Sequence, residues 1–444
     1  MAYIGHRVTC LDDDRERVAG LREGRVPFYE PGLRELVARS ATRLHFADSE
    51  RLAELARAVD VLFVAVGTPQ GAGGSADLSS VGDVARAIGR ALGGSEVAPR
   101  DHPLVVVNKS TVPVGGAYYV SRLLREGMAE AGGAGAEFRV ASNPEFLRQG
   151  SAVHDSLFPD RVVVGTDSKE ALEALRTLYA PIVEQSFPTE WDPRPKVAVP
   201  FVTTDLASAE MIKYAANAFL ATKISFINEV ANLCELFGAD VSEVAYGVGL
   251  DDRIGPRFLS AGIGWGGSCF PKDVAALRAT AREREHDTPL LDAAADVNER
   301  QRSRVIHKLH QGLHSLEGKR VALLGLSFKP NTDDLRGAPS LTIAGALNSL
   351  GAKVIGYDPV AGKAAAELMP DIQAVFDLYD ALRGAHAAVV VTEWQEVRGL
   401  DPKKAASLMR DPKLIVDGRN ALDAVASREA GLLYRGFGRG YDRG

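Results

Sequence analysis

Leu104-Val-Val-Val-Asn-Lys-Ser-Thr-Val-Pro113 is the stretch that best decides the fold. Its apolar run has the length of a buried strand, and a segment of helix-like composition (114–131) and another apolar run (138–141) follow it. Such alternation is typical of a parallel sheet with helices on both faces. These sheets bind ligands where strands end, so Ser110 and Thr111 are candidate ligand contacts, with an ordinary turn as the alternative.

The same alternation extends over both ends of the chain, and a helical stretch separates them. It begins near Asp205, a plausible N-cap, and runs to Phe237, with Gly238 after it and a second helix opening at Asp240. We predict an α/β protein with two Rossmann-like, doubly wound domains joined by a long central helix and a helical dimerisation domain. The expected boundaries are 1–195, 203–300 and 315–444. The predicted strands are Val8–Leu11, Val61–Val66, Leu104–Asn108, Phe138–Ala141, Arg161–Val164, Val321–Leu324, Val354–Tyr357, Ala387–Val391 and Leu414–Val416.

Composition narrows the class of protein. With 52 basic and 58 acidic residues the net charge is −6, which argues against a general nucleic-acid binder. Three cysteines are too few for a disulfide framework, and no apolar run approaches the ~20 residues of a membrane span. We expect a cytoplasmic protein. His307, His310 and His314 share a helix face, but no acidic or cysteine ligands accompany them, so we predict no metal site.

The N-terminal sequence contains only part of a dinucleotide-binding unit. Val8–Leu11 reads as its second strand, and Asp12 is the acidic residue that would take the ribose hydroxyls of NAD. No G-x-G-x-x-G precedes it, and Met1–His6 reads as the end of a helix with Gly5 after it. We expect that the first strand and the glycine-rich loop, roughly 20–25 residues, are missing and that an internal Met was taken as the start. A different fold without a dinucleotide site is the alternative.

The glycine-rich stretch Gly262-Ile-Gly-Trp-Gly-Gly-Ser-Cys-Phe-Pro-Lys-Asp273 is the strongest chemical signal. Glycines let the backbone approach a ligand closely. A cysteine in such a loop, next to Lys272 and Asp273, is a candidate nucleophile. A buried, inert thiol in a flexible loop is the alternative.

Other candidate residues follow strands or lie on the long helix. Glu145 in Ser142–Leu147 could orient a water, although Asn-Pro turns are common. Lys213 and Asn217 are four residues apart on one helix face and could stabilise an oxyanion, with a solvated lysine as the alternative. Lys329 and Arg336 follow a strand of the third domain and could meet phosphates, and Arg419 follows another strand. Surface ion pairs are their alternative.

Together these blocks make the chain resemble the UDP-glucose/GDP-mannose dehydrogenase family from Ala2 to about Arg419. Several ordered matches carry the resemblance, and the Cys269 block is the most specific of them. The matching stretches are Tyr29-Glu-Pro-Gly32, Lys109–Pro113, Ser142–Leu147, Asn217–Phe226, Arg253-Ile-Gly255, Gly262–Asp273 and Phe328-Lys329 through Arg336.

The resemblance implies an NAD-dependent oxidoreductase that takes a nucleotide-sugar alcohol to a carboxylate with two NAD. It implies that Cys269 adds to the aldehyde to give a thiohemiacetal and that a thioester forms and is hydrolysed. Lys213 and Asn217 match the oxyanion-stabilising pair, and Asp273 matches the carboxylate that assists with water and proton transfer. Thr111 and Glu145 match residues that position water.

The resemblance also implies binding residues and a homodimer or higher homo-oligomer, because Arg253 matches an arginine that reaches the neighbouring subunit's substrate. No nucleic acid or membrane partner is expected. The expected NAD contacts are Asp12, Arg17, Thr68, Ser110, Thr111, Lys272 and Arg336. The expected substrate contacts are Glu145, Phe146, Leu147, Lys213, Asn217, Arg253, Phe258, Gly266, Lys329 and Arg419.

The sequence departs from the family pattern in two places. The glycine-rich loop is absent, and Gln149 stands where many members have Glu, so we assign Gln149 no catalytic role. The stretch Asn217–Lys223 resembles members that oxidise UDP-glucose to UDP-glucuronate, as used for polysaccharides. A UDP-N-acetylhexosamine or GDP-mannose is the alternative substrate. A catalytically silent nucleotide-sugar-binding protein is the alternative of another class.

Overall fold

The computed structural model describes residues 1–94, 101–133, 136–191, 194 and 197–440 and divides the chain into two compact units. The first unit is Met1–Ala216 and the second is Asn217–Gly444. Both consist of alternating strands and helices, which confirms the predicted α/β class.

The first unit begins with a short 3-10 turn at Ala2–Ile4, which Gly5 ends in a left-handed conformation, as predicted for a helix end. Its strands are β1 (Val8–Asp12), β2 (Leu44–Asp48), β3 (Val61–Val64), β4 (Leu104–Asn108), β5 (Phe138–Ser142), β6 (Val162–Gly165) and β7 (Phe201–Thr204). Its helices are α1 (Arg15–Arg22), α2 (Leu33–Arg39), α3 (Leu52–Ala58), α4 (Ser79–Leu92), α5 (Gly116–Glu130), α6 (Ala152–Leu157) and α7 (Lys169–Glu184).

Strand β4 shows why the apolar run forms a central strand. Its side chains alternate between two hydrophobic clusters: Leu104 and Val106 pack in one, Val105 and Val107 in the other. Successive side chains of a strand point to opposite faces, so a run without polar residues needs apolar cover on both sides. Helices α4 and α5 supply that cover on one face and α7 on the other.

The strands of the first unit form two sheets, one pairing β1 with β2 and one ordered β3-β4-β5-β6-β7. No described strand joins them. The prediction of a wholly parallel sheet is wrong at one pair, because β5 and β6 are antiparallel and meet only through Ser142 and Gly165. The connection 143–161 contains the short helix α6, and it returns the chain in the opposite direction beside the end of β5.

Helix α8 (Leu206–Phe237) is the predicted long helix; it begins in the first unit and ends in the second. Asp205 caps its start by accepting a hydrogen bond from the Ser208 N–H at 2.8 Å. Gly238 follows its end at φ +76, which a glycine adopts without strain. Asp240 caps the next helix by accepting from the Ser242 N–H, which confirms the predicted start.

The second unit contains the glycine-rich cysteine stretch and a second α/β sheet. Its strands are β8 (Arg320–Leu324), β9 (Lys353–Tyr357), β10 (Gln373–Val375), β11 (Ala387–Val390), β12 (Leu414–Asp417) and β13 (Leu433–Gly436). Its other helices are α9 (Val241–Gly249), α10 (Phe270–Arg282), α11 (Pro289–Leu313), α12 (Pro339–Ser349), α13 (Gly362–Leu368), α14 (Leu378–Leu382), α15 (Gln395–Arg398), α16 (Pro402–Leu408) and α17 (Ala424–Glu429).

This sheet is parallel throughout, in the order β10-β9-β8-β11-β12-β13. That is the strand order of a doubly wound nucleotide-binding fold, whose direction reverses between the first and fourth strands, here β8 and β11. The loops after β8 and β11 touch there, where the Thr392 hydroxyl donates to the Ser327 carbonyl. Ligands of such folds bind at this reversal point.

The Gly- and Arg-rich end that starts at Arg435 is part of the fold in its first residues. Arg435 and Gly436 belong to β13, and the Gly438 N–H donates to the buried Glu235 carboxylate at 2.9 Å. The last residues, 441–444, lie outside the described residues, as do 192, 193, 195 and 196. No described helix combines the length and the apolar composition that crossing a membrane would need.

Candidate functional sites

In the first unit, hydroxyl groups join the loops that follow β3 and β4. The Thr68 hydroxyl donates to the Thr111 carbonyl at 2.9 Å, and the Ser110 hydroxyl donates to the Val66 carbonyl at 2.8 Å. Thr68 and Ser110 are both buried, and Thr111 is partly exposed. The two loops therefore form one connected edge at the carboxyl ends of the strands, where the sequence predicted a ligand site.

Lys213 and Glu145 form an ion pair at the same edge of the first unit. The Lys213 ammonium lies 2.9 Å from a Glu145 carboxylate oxygen, and only 5% of the lysine side chain is exposed. Burial alone would raise the pKa of Glu145, but Lys213, the Leu147 N–H and Lys109 together lower it. Glu145 is thus held as a carboxylate, the form that can accept a proton from water.

Lys109 is a second cation near this pair, and the sequence argument assigned it no role. Its ammonium group donates to the Asn143 side-chain oxygen at 3.1 Å, and Tyr179 donates to the same oxygen at 2.5 Å. Burial lowers the pKa of Lys109 to about 8; Glu145 opposes this shift and Lys213 adds to it. Its signal in the sequence was its place directly after strand β4.

Phe146 and Leu147 continue the loop that carries Glu145. The Lys213 ammonium lies 5.4 Å from the Phe146 ring centroid, and the Arg161 guanidinium lies 3.9 Å from it. Leu147 is 40% exposed. The ring therefore packs between two cations, as in a cation–π contact, and the leucine is open to a ligand.

Asp12 ends strand β1, where a dinucleotide fold places its ribose contact. It pairs with Arg17 at 2.9 Å, and both side chains are partly exposed. Burial acts to raise the pKa of Asp12, but hydrogen bonds from the Asp14 N–H and Arg17 outweigh it and lower the pKa. An ionised carboxylate beside an arginine at a strand end fits the adenosine ribose of NAD. Residues 1–12 contain no G-x-G-x-x-G, so we assign no residue to the pyrophosphate.

The Tyr29-Glu-Pro-Gly32 motif has a structural explanation that sequence reasoning missed. The Glu30 carboxylate accepts hydrogen bonds from the Gly150 N–H at 2.7 Å and the Ala152 N–H at 2.8 Å. These N–H groups open helix α6, directly after the loop that carries Glu145. Glu30 therefore anchors that loop from 120 residues away in sequence.

In the second unit, Cys269 occupies the N-cap position of helix α10 without a side-chain capping hydrogen bond, and it is half-buried. The positive end of a helix dipole stabilises negative charge placed near it. Arg336 lies close enough that its pKa, raised mainly by hydrogen bonding to Asp334, is raised further by the charge of Cys269. The predicted nucleophile therefore lies at the N-terminus of a helix with Arg336 nearby.

Asp273 lies in the first turn of the same helix and is fully enclosed, with 1% of its surface exposed. One carboxylate oxygen accepts from the Asn217 side-chain amide at 2.6 Å, and the other accepts from the Lys272 ammonium at 2.5 Å. The structure thus brings three predicted residues together next to Cys269. An amide nitrogen carries two hydrogens, so the Asp273 bond uses one of those on Asn217.

The glycines before Cys269 are required by close backbone packing. A Cβ on Gly266 would lie 2.3 Å from the Gly337 carbonyl, and one on Gly267 would lie 2.7 Å from the Phe328 ring. Arg419 donates to the Gly264 carbonyl at 3.2 Å. The cysteine loop is therefore in contact with the loop after β8 and the turn after β12, which carry the predicted substrate contacts Lys329 and Arg419.

Two predicted substrate contacts lie in the segment after α9. Arg253 is 89% exposed and pairs with Asp251 in its own loop. Lys223 of α8 holds this loop by donating to the Ile254 carbonyl at 3.0 Å. Phe258 has φ +65, and its ring lies 6.4 Å from that of Phe270, beside Cys269. The structure therefore brings Phe258 towards the cysteine but leaves Arg253 pointing to solvent.

Comparison with known proteins gives matches along the whole chain. Residues 1–183 match the NAD-binding domain of the UDP-glucose/GDP-mannose dehydrogenase family, residues 207–300 its central domain and residues 322–424 its UDP-binding domain.

Individual relatives match over nearly their full length. The chain is 42% identical to UDP-glucose 6-dehydrogenase TuaD of Bacillus subtilis, covering 100% of this chain and 90% of the relative. It is 45% identical to UDP-glucose 6-dehydrogenase of Pseudomonas aeruginosa, covering 99% and 93%. A solved UDP-glucose dehydrogenase from Pyrobaculum islandicum superposes with a TM-score of 0.86 at 37% identity, covering 99% of this chain and 94% of that one.

These matches agree with the two α/β units and with the nucleotide-binding strand order of the second unit. NAD is the cofactor, and the protein is an NAD-dependent dehydrogenase. The chain therefore belongs to the UDP-glucose/GDP-mannose dehydrogenase family.

Proposed function

We propose that this protein oxidises UDP-glucose to UDP-glucuronate in two NAD-dependent steps, through a thioester on Cys269. The observation that carries the proposal is the cysteine at the start of α10 beside the Asn217–Asp273–Lys272 cluster. The names of relatives that are 42% and 45% identical support UDP-glucose as the substrate.

The first step oxidises the 6-hydroxyl carbon of the sugar to an aldehyde. NAD, when bound, supplies the hydride acceptor for this step and for the second oxidation. As the hydroxyl loses its proton, the oxygen gains negative charge, which Lys213 and Asn217 stabilise as hydrogen-bond donors. The ion pair with Glu145 holds the lysine ammonium in place.

The second oxidation requires a nucleophile. The aldehyde carbon can transfer its hydrogen as hydride on the way to an acid only after a nucleophile has added to the carbonyl. The Cys269 sulfur adds to the carbonyl carbon, and the resulting alkoxide is protonated to give a thiohemiacetal. Loss of a second hydride and the hydroxyl proton then leaves the thioester. Lys213 and Asn217 stabilise the oxyanion both when the thiohemiacetal forms and when it is oxidised.

Hydrolysis releases the product. A water positioned by Thr111 and Glu145 attacks the thioester carbon, and the sulfur leaves as thiolate. Asp273, which accepts one hydrogen bond on each carboxylate oxygen, assists the proton transfer through its remaining lone pairs. One UDP-glucose, two NAD⁺ and one water thus give one UDP-glucuronate carboxylate, two NADH and three protons released to solvent, with the cysteine regenerated.

The remaining residues bind the ligands in this proposal. Lys329 and Arg419 bind the nucleotide part of the substrate with charge-assisted hydrogen bonds. Phe146, Leu147, Phe258 and Gly266 shape the sugar site. Asp12 and Arg17 bind the adenosine ribose, and Thr68, Ser110, Thr111, Lys272 and Arg336 contact the rest of NAD.

A homodimer is supported by an exposed apolar stripe on α8. Phe219, Phe226 and Leu233 recur at intervals of seven residues, and each is at least 45% exposed. Side chains at this spacing share one helix face, and such a stripe favours a symmetric contact with the same helix of a second copy. The exposed Arg253 would reach the partner's substrate. The domain boundaries 1–195, 203–300 and 315–444 and the cytoplasmic location stay predictions.

The test is to offer UDP-glucose, UDP-N-acetylglucosamine, UDP-N-acetylmannosamine and GDP-mannose side by side and to follow NADH absorbance. We expect turnover of UDP-glucose at least tenfold faster than of the others. Turnover of GDP-mannose alone would overturn the substrate assignment. UDP binding by calorimetry without NADH formation from any sugar would instead favour a silent binding protein.

A further inference from the structure

Glu210 is a buried carboxylate on α8, and the mechanism above does not use it. Only 3% of its surface is exposed. It lies three residues before Lys213, and residues at this spacing are neighbours on one helix face. Among the described residues no cation forms an ion pair with it, which is unusual for a buried acidic group.

Its two oxygens serve backbone N–H groups of another helix. One accepts from the Gly115 N–H and the other from the Ala117 N–H, both at 2.7 Å. These groups open helix α5, and Gly115, at its N-cap position, has no side chain to bind them. Unsatisfied N–H groups at a buried helix start are energetically unfavourable. Glu210 accepts their hydrogen bonds from a different helix, a role that an N-cap side chain usually has.

Helix α5 begins directly after the loop that carries Ser110 and Thr111. Val112 of this loop packs against Gly116, where an added Cβ would lie 2.2 Å from a Val112 methyl group. The loop is held at its other end by the Ser110 hydroxyl on the Val66 carbonyl. A shift of the α5 start would therefore move Thr111, and Glu210 ties that start to the helix that carries Lys213.

We propose that Glu210 is a positioning residue that fixes the Ser110–Thr111 loop relative to Lys213 by binding the first N–H groups of α5. The inference rests on the proposed function, because it assigns Thr111 and Lys213 to one reaction. Burial raises the pKa of Glu210 to about 7 despite the backbone hydrogen bonds. Keeping an ionised carboxylate at this position is therefore energetically unfavourable. A glutamine could accept only one of the two bonds, because its amide nitrogen would face an N–H donor.

The experiment compares Glu210→Gln and Glu210→Asp with Glu173→Gln, a control on α7 whose side chain is 71% exposed. We measure kcat and KM for UDP-glucose and hydrogen exchange of the Gly115 and Ala117 amides. Glu210→Gln should lower kcat at least tenfold, change KM less than threefold and speed exchange of both amides. Glu210→Asp keeps the charge but is one methylene shorter, so we expect the same changes in kcat, KM and amide exchange. This variant decides the question if Glu210→Gln does not fold.

Two results would overturn the inference: a kcat within twofold of wild type in a folded Glu210 variant, or unchanged amide exchange. The control should match wild type in every measurement. If wild type oxidises no nucleotide sugar, the proposed function fails, while the exchange measurement still decides whether Glu210 holds α5.

Discussion

The Lys213–Glu145 pair illustrates how single residues set the chemistry of the first unit. The Lys213 side chain is 5% exposed and that of Glu145 is 25% exposed, and Lys213 acts to lower the pKa of Glu145. Removing one partner of a buried pair leaves an uncompensated charge, which is strongly unfavourable. The pair therefore keeps a positive donor and a carboxylate side by side in the proposed reaction.

Lys213→Ala should reduce turnover far more than nucleotide-sugar affinity. An oxyanion donor contributes on the order of 3 kcal/mol to the transition state, which corresponds to a loss of about 100-fold in kcat. Steady-state kinetics with UDP-glucose measures both constants. Lys169→Ala, at an exposed lysine, is the control. An unchanged kcat in the folded variant would refute the role.

Individual site residues were predictable where a local pattern carried the chemistry, as in the glycine-rich run before Cys269. Their partners were not, because tertiary packing decides them. Asn217 and Asp273 are 56 residues apart in sequence, and Glu30 and Gly150 are 120 apart. The local sequence around these residues does not predict the hydrogen bond within either pair, although the motifs that contain the residues were recognisable.

At the scale of elements, apolar strands and capped helices were predictable and short polar strands were not. Strand β4 and helix α8 have apolar runs and cap residues that match their observed ends. Strand β13 reads Leu-Tyr-Arg-Gly, with little apolar character, and its pairing with β12 decides its structure. The antiparallel step from β5 to β6 likewise depends on the path of the connection rather than on either strand.

Glu210 also gives the α5–α8 contact a pH dependence. Its pKa in the folded protein, about 7, lies above the value of 4.5 for a free group, so the folded state binds the proton more tightly. Stability from this group is therefore present at low pH and is lost as pH rises through about 7. The loss, on the order of 3 kcal/mol, should be absent in Glu210→Gln.

Denaturant unfolding of both proteins at a series of pH values measures this difference. The stability advantage of wild type over Glu210→Gln should shrink as the pH rises from about 4.5 to about 7. Parallel stability curves for the two proteins would contradict the assignment.

At the scale of the whole molecule, the second unit exposes the face that a homodimer would cover. Phe226 lies at the middle of the apolar stripe on α8 and is 54% exposed. Large apolar side chains aligned on one face of a long helix are uncommon on a monomer surface. The stripe therefore predicts that the stable form of the protein is an assembly of at least two copies.

Phe226→Asp should dissociate that assembly, because a charge would be buried without a partner in the contact. Sedimentation velocity measures the mass in solution. Phe376→Asp, at a phenylalanine that is 81% exposed outside α8, should leave the assembly intact. A Phe226→Asp protein with the same mass as wild type would rule out this face.

The central claim is that Cys269 carries the substrate between the two oxidations, and the NADH yield per UDP-glucose tests it most directly. With limiting UDP-glucose and excess NAD, wild type and the control Cys10→Ser, at an exposed cysteine, should each form two NADH per sugar. Cys269→Ser should form at most one, because the thioester cannot form. A yield of two NADH from Cys269→Ser would contradict the account.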